Sequence, residues 1–184
     1  MMRILGVDPG SSATGFGLIE RDGGRIRHLR HGVLRPPVGA DLALRLRFLF
    51  AGLSEVLEDS KPEVAVVERV FMASNPHSAL VLGQARGALL ASIGMAGIPV
   101  SELAAREAKK SVTGSGAAEK DQVQMMVTRL LKLDQTPPTD AADALALALT
   151  YAQAGPLAGL AVRGSSSRRN HRKAMTEALL GRTR

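Results

Sequence analysis

Apolar and polar positions alternate along the chain in a way that marks out its elements. A short apolar run ends in an acid, Ile4 to Asp8, and is followed by the turn-rich stretch from Pro9 to Gly15 and a second apolar run, Phe16 to Glu20. A turn at Arg21–Gly24 then leads into Ile26–Leu34, so a strand, a tight loop and a hairpin are predicted. After Pro36 and Pro37, apolar residues at Leu42, Leu46, Leu49, Leu53, Val56 and Leu57 follow steps of three and four, the mark of a helix packed on a core. Lys61-Pro62 stops it, and EVAVVE at 63–68 is a β-branched run of the kind that forms a central strand covered on both faces. Further helices are predicted over Ser78–Met95, Glu119–Leu131 and Ala141–Gln153, with a short strand near Val100 after Gly97-Ile98-Pro99. A leading β-meander followed by strand–helix–strand alternation predicts an α/β fold with a mixed sheet.

The chain has 184 residues, 45% hydrophobic and 22% charged, the range of one globular domain. A chain of this size hides about 70% of its unfolded surface, so a core can form without staples. There is no cysteine, which excludes a thiol nucleophile, a Cys-ligated zinc and a disulfide scaffold. The N-terminal segment has no signal-peptide pattern, and no uninterrupted apolar run reaches about 18 residues. The expectation is a cytoplasmic protein with no membrane partner.

The net charge of +7 points to a polyanion, and its distribution sharpens the picture. Residues 155–184 hold seven Lys/Arg against one acid, whereas residues 1–154 hold seventeen basic against sixteen acidic side chains. The expected organisation is a folded domain over 1–154 and a basic, disordered tail over 155–184. A nearly neutral body with so many acids invites the question of where those acids fall.

Asp8 ends the first predicted strand and Glu68 the central one. If these strands are parallel neighbours, both carboxylates reach the carboxyl edge of the sheet, where ligands of open α/β sheets bind. Asp140 and Asp143, three apart at the start of the last helix, project from one face of it. Thr136-Pro137-Pro138 is read as an N-cap followed by a proline at the first helical position, placing both acids near the positive end of the helix dipole. Four converging acids need compensation, and hard divalent cations supply it: paired Mg²⁺ ions can activate a water and stabilise a leaving oxygen in phosphoryl displacement. Local readings of the same residues, as a turn acid at Asp8 and helix-start acids at Asp140 and Asp143, stand beside the metal-site reading on spacing alone.

Four stretches, GVDPGSSATGFGL, VVERVFMASNPHSALVLGQARGALL, AAREAKKSVTGSGAAEKDQVQMMVTRLLKL and TDAADALALAL, together resemble the RuvC family of bacterial Holliday-junction resolvases, the crossover junction endodeoxyribonucleases. The resemblance covers about residues 1–152, with the motifs in the family's order. It implies a ribonuclease-H-like fold with a mixed five-stranded sheet flanked by helices. It also implies a homodimer that nicks four-way junction DNA in symmetric pairs during recombination and repair, leaving 5′-phosphate and 3′-hydroxyl ends. The implied cofactor is Mg²⁺, two ions per subunit, with Mn²⁺ able to substitute; the implied partners are the RuvA and RuvB branch-migration proteins. The family's catalytic and metal-binding acids fall on Asp8, Glu68, Asp140 and Asp143, and some relatives carry His where this chain has Asp140. Phe71 takes the place of the aromatic that contacts junction DNA, and Lys109 and Lys120 take the places of lysines that touch phosphates. The tail after Gly155 lies outside the pattern.

Other features read more plainly. His77, in SNPHS, is expected to be exposed surface, and Gly15-Phe16-Gly17 lacks the Lys-Ser/Thr of a phosphate loop. The Ala/Gly-rich helix from Ser78 either packs closely on the sheet or admits the same helix of a second subunit, and the resemblance favours the second use. GVDPGSSATGFG also resembles the phosphate loop of actin-like ATPases and sugar kinases, but those need two such domains. A third possibility, an architectural junction binder acting through the basic tail, gives no reason to gather four acids against DNA.

Overall fold

The computed structural model describes residues 1–69 and 75–154. Its elements run β1 (Met2–Asp8), β2 (Thr14–Asp22), β3 (Arg25–Leu34), α1 (Leu42–Ser60), β4 (Val64–Glu68), α2 (Pro76–Met95), β5 (Val100–Leu103), α3 (Ala105–Thr113), α4 (Lys120–Leu131) and α5 (Thr139–Ala154). The five strands form one sheet in the order β3-β2-β1-β4-β5. β1 pairs antiparallel with β2 and β2 with β3, whereas β1–β4 and β4–β5 are parallel. This is the mixed sheet expected, in a ribonuclease-H-like arrangement.

Strand parity explains the two cores. Successive side chains leave opposite faces of a strand, so the fully buried Ile4 of β1 and Val64 and Val66 of β4 lie with α3, α4 and α5. Leu5, Val7, Ala65 and Val67 point the other way and pack with α1 and α2. Helix α1 starts where Asp41 accepts a 2.8 Å hydrogen bond from the Leu44 amide, and it ends where Lys61 turns left-handed at φ 46° ahead of Pro62.

Helix α5 lies unusually close to the sheet because three glycines face it. A Cβ on Gly6 would stand 1.8 Å from the Ala144 carbonyl oxygen, one on Gly15 1.9 Å from that of Asp140, and one on Gly17 2.6 Å from the Leu145 side chain. Gly15 and Gly17 thus serve packing, in agreement with their failure to read as a phosphate loop.

Helix α3 was not predicted. Its buried residues are Ala108 and Val112 alone, a thin apolar face among Arg106, Lys109 and Lys110. The predicted start of α5 also needs correction: the helix begins at Thr139, and the Pro138 carbonyl accepts from the Ala142 amide. Neither proline occupies the first helical position; Pro138 precedes it.

Candidate active site

The parity that builds the cores also places the acids. Asp8 follows Ile4 and Gly6 on the α5 face of β1, and Glu68 follows Val64 and Val66 on the same face of β4. The strands run parallel with Val7 opposite Val67, so the next residues, Asp8 and Glu68, stand side by side at the carboxyl edge. Gly15, opposite Asp8 on β2, sits against the Asp140 backbone and so brings the first turn of α5 to the same edge. The structure therefore unites Asp8, Glu68, Asp140 and Asp143, drawn from three separate elements.

Their charges act on one another. Burial, a hydrogen bond with Glu68 and the charges of Glu68, Asp143 and Asp140 push the Asp8 carboxyl from its ordinary 3.8 up to about 10. Burial also raises Asp143, against the pull of the Lys109 and Lys120 ammonium groups and with help from Glu68 and Asp140. Without a counter-cation Asp8 keeps its proton and donates a hydrogen bond to the Glu68 carboxylate.

Among the described residues no three acid or imidazole side chains form a preassembled metal-binding group. The chemistry of the donor set nonetheless fits a hard divalent cation: four carboxylates, no thiol and no imidazole, with Asp8 held protonated near neutrality by burial and by its acidic neighbours.

The lysines fall beside the acids. Lys109 donates a 2.9 Å hydrogen bond from Nζ to the Ala118 carbonyl, tying α3 to the segment before α4, and a crevice of about 50 Å³ joins Lys109 to Glu68 and Asp143. Lys120, the first residue of α4, also acts on Asp143. Two arginines escaped the sequence reading. Arg86 of α2 donates from Nε to the Glu68 carbonyl at 3.2 Å and pairs with Glu102 of β5, fixing the end of β4. Arg35, one residue past β3, has its Nη2 3.8 Å from Asp140 Oδ2. Arg86 carried only the cue of a cation within an apolar helix; Arg35 carried none, since only strand pairing brings it to the site.

Phe71 and the tail from Gly155 lie outside the described residues. His77 is exposed in the first turn of α2, as expected. A surface groove of about 760 Å³ runs between β3 and the end of α4 with the loop that follows it, and none of the four acids lines it.

The mixed sheet, with acids gathered where its central strands end, defines the class: a ribonuclease-H-like nuclease. The family model described as crossover junction endodeoxyribonuclease RuvC matches residues 4–151. The chain is similar to the crossover junction endodeoxyribonuclease RuvC of Delftia acidovorans, at 52% identity over 84% of this chain and 86% of that one. It is 46% identical to the RuvC of Mannheimia succiniciproducens over all of this chain, tail included, and 90% of the relative. Among solved structures, Thermus thermophilus RuvC in complex with a Holliday junction substrate superimposes with a TM-score of 0.76 at 34% identity, covering 83% of this chain and 93% of that one. The yeast mitochondrial Holliday junction resolvase Ydc2, 17% identical with a TM-score of 0.60 over 83% of this chain and 78% of its own, shares the fold. The chain belongs to the RuvC family of crossover junction endodeoxyribonucleases, which are DNA-cleaving hydrolases.

Proposed function

We propose that the protein resolves four-way DNA junctions by paired, divalent-metal-dependent nicks, with Asp8, Glu68, Asp140 and Asp143 as the metal-holding and catalytic acids. The observation that carries this is the convergence of the four carboxylates on one edge, where Asp8 hydrogen-bonds Glu68. Similarity to RuvC proteins, one of them bound to a Holliday junction, supports the substrate. Two Mg²⁺ ions held by these acids would supply charge neutralisation and a more acidic water, the chemistry of in-line phosphodiester hydrolysis, and the oxygen donor set suits Mn²⁺ as well.

The chain's own residues do the positioning. Arg86 holds the Glu68 backbone, Lys109 and Lys120 sit on the Asp143 side where a phosphate of the cut strand would pass, and Phe71 stacks on a base at the opened centre. The water oxygen bonds to phosphorus, the bond to the 3′ oxygen breaks, and that oxygen leaves with a proton. The products are a 5′-phosphate and a 3′-hydroxyl.

Paired cutting needs two sites, and α2 offers the joining surface. Leu80, Gly83, Gly87, Ala91 and Met95 recur at steps of three and four on its exposed side, with Leu80 61% and Met95 72% exposed. α2 has the length and apolarity to cross a bilayer, yet its midpoint carries Arg86 paired to Glu102 and its inner side packs Ala85, Leu89 and Ile93 into the core. Its outer stripe suits a second copy of itself, and a two-fold dimer matches the two-fold symmetry of a junction. The protein acts in the cytoplasm on recombining DNA, with RuvA and RuvB as its branch-migration partners, and the basic tail adds backbone contacts.

The carboxylate assignment is tested by single Asp→Asn changes at 8, 140 and 143 and Glu68→Gln. Each should lower nicking by orders of magnitude while junction binding persists or tightens, because a negative charge facing phosphate is gone. Wild-type nicking by any of these variants would remove that residue from the site.

A further inference from the structure

The cations around the acids are unevenly committed. Arg86 serves the Glu68 carbonyl and Glu102, and Arg45 serves the Ser11 carbonyl of the β1–β2 loop. Lys109 and Lys120 act together on Asp143. Arg35 stands on the other flank: it faces Asp140 at 3.8 Å, its side chain is 60% exposed, and among the described residues it makes no hydrogen bond or second ion pair. At that separation the attraction is charge alone, without a formed hydrogen bond, and such a half-solvated pair exchanges readily.

The backbone beneath Arg35 is fixed. Leu34 pairs with Thr14 of β2, one residue from Gly15, which packs on the Asp140 backbone. The buried Pro36 follows, and a residue before proline is held extended. The guanidinium therefore sits on a rigid base and can swing between Asp140 and a ligand beyond it. The 760 Å³ groove along β3 is not part of this flank: Arg35 does not line it, and the groove's Arg27 is already paired with Glu20.

We propose that Arg35 binds the phosphate adjoining the scissile one on the Asp140 side, opposite Lys109 and Lys120, and covers Asp140 until DNA and metal arrive. The inference rests on the junction-nuclease reading. A polyanion strand crossing four acids is repelled along its whole contact, so cations are needed on both flanks of the cut; the lysines supply only one. The planar guanidinium fork also suits two oxygens of one phosphodiester.

The experiment uses full-length protein, Arg35→Gln and Arg35→Lys, with four-way junctions carrying one neutral methylphosphonate at successive positions around the mapped nick. Binding is read in Ca²⁺. Arg35→Gln should bind the unmodified junction about tenfold more weakly, with a log–log salt slope shallower by about 0.9, and Arg35→Lys should restore the slope but only part of the affinity. A methylphosphonate on the Arg35 flank should weaken the wild type but leave Arg35→Gln unchanged, while one on the lysine flank should weaken both. Without DNA, Arg35→Gln should bind Mn²⁺ more tightly, since Asp140 is no longer shared. Equal methylphosphonate penalties in both proteins at every position, or weaker Mn²⁺ binding by the variant, would overturn the assignment in a protein that nicks junctions. A wild-type protein that ignores junctions would overturn the nuclease reading itself, and this inference with it.

Discussion

Replacing Gly15 with alanine tests whether the approach of α5 to the sheet sets the position of the acids. The new Cβ would lie 1.9 Å from the Asp140 carbonyl oxygen and 2.2 Å from its carbon, where real Cβ atoms essentially never come within 3.0 Å. Both partners are backbone, so no rotamer change relieves the clash, and the first turn of α5 must retreat by more than an ångström. Asp140 and Asp143 move with it while Asp8 and Glu68 stay on their strands. A misplacement of about 1 Å costs roughly 100-fold in rate, and overpacking of this kind costs about 1–3 kcal/mol of stability, lowering Tm by roughly 3–10 °C. Gly24→Ala is the control, because nothing lies within 4 Å of the Cβ it would add. Single-turnover nicking of a junction and thermal melts of both variants give the comparison. Wild-type nicking by a folded Gly15→Ala protein would refute the idea that this contact positions the acids.

In metal-free protein Asp8 keeps its proton up to about pH 10, whereas the unfolded chain releases it near 3.8, so the native state binds the extra proton between those values. Stability from this group is complete below 3.8 and is lost as pH rises toward 10; melts in chelator should therefore fall from pH 5 to pH 8.5, and Asp8→Asn should flatten that fall. Mg²⁺ at pH 8.5 should raise the Tm of the wild type more than that of Asp8→Asn, because the variant has lost one of its four carboxylate ligands; equal shifts would argue against a site at Asp8. Gly87→Leu, at a position with open space around it, should leave the monomer folded but turn dimers into monomers and paired nicks into single ones, read by light scattering and product mapping.

Much of this site was legible because strand ends and helix starts are legible. The apolar runs before Asp8 and Glu68 marked two strands ending in acids, and parallel pairing would bring both to one carboxyl edge; the face they share is set by the packing of α5 on β1 and β4. The distances needed three-dimensional pairing, since parallel register between β1 and β4 spans a separation that no local pattern encodes. α3 was missed because alanine and a single valine make its buried face; the one local cue was Glu107, whose carboxylate accepts a 3.0 Å bond from the Ala104 amide. The glycines told little by themselves. Gly6, Gly15 and Gly17 read as turn or strand punctuation until α5 is seen lying on them. Arg35 was invisible for the same reason as the register: it reaches Asp140 through the pairing of β3 with β2 and the packing of β2 under α5.

The central claim is that four carboxylates on one sheet edge cut junction DNA. Its most direct test is to incubate the protein with Mg²⁺ and a synthetic four-way junction, each strand labelled in turn, beside a linear duplex of the same sequence, and to map the ends. Symmetric nicks are expected in two strands of like polarity near the branch, closed again by ligase, with none in excess chelator and little cutting of the duplex. Equal cutting of duplex and junction, or undiminished cutting in chelator, would contradict that claim.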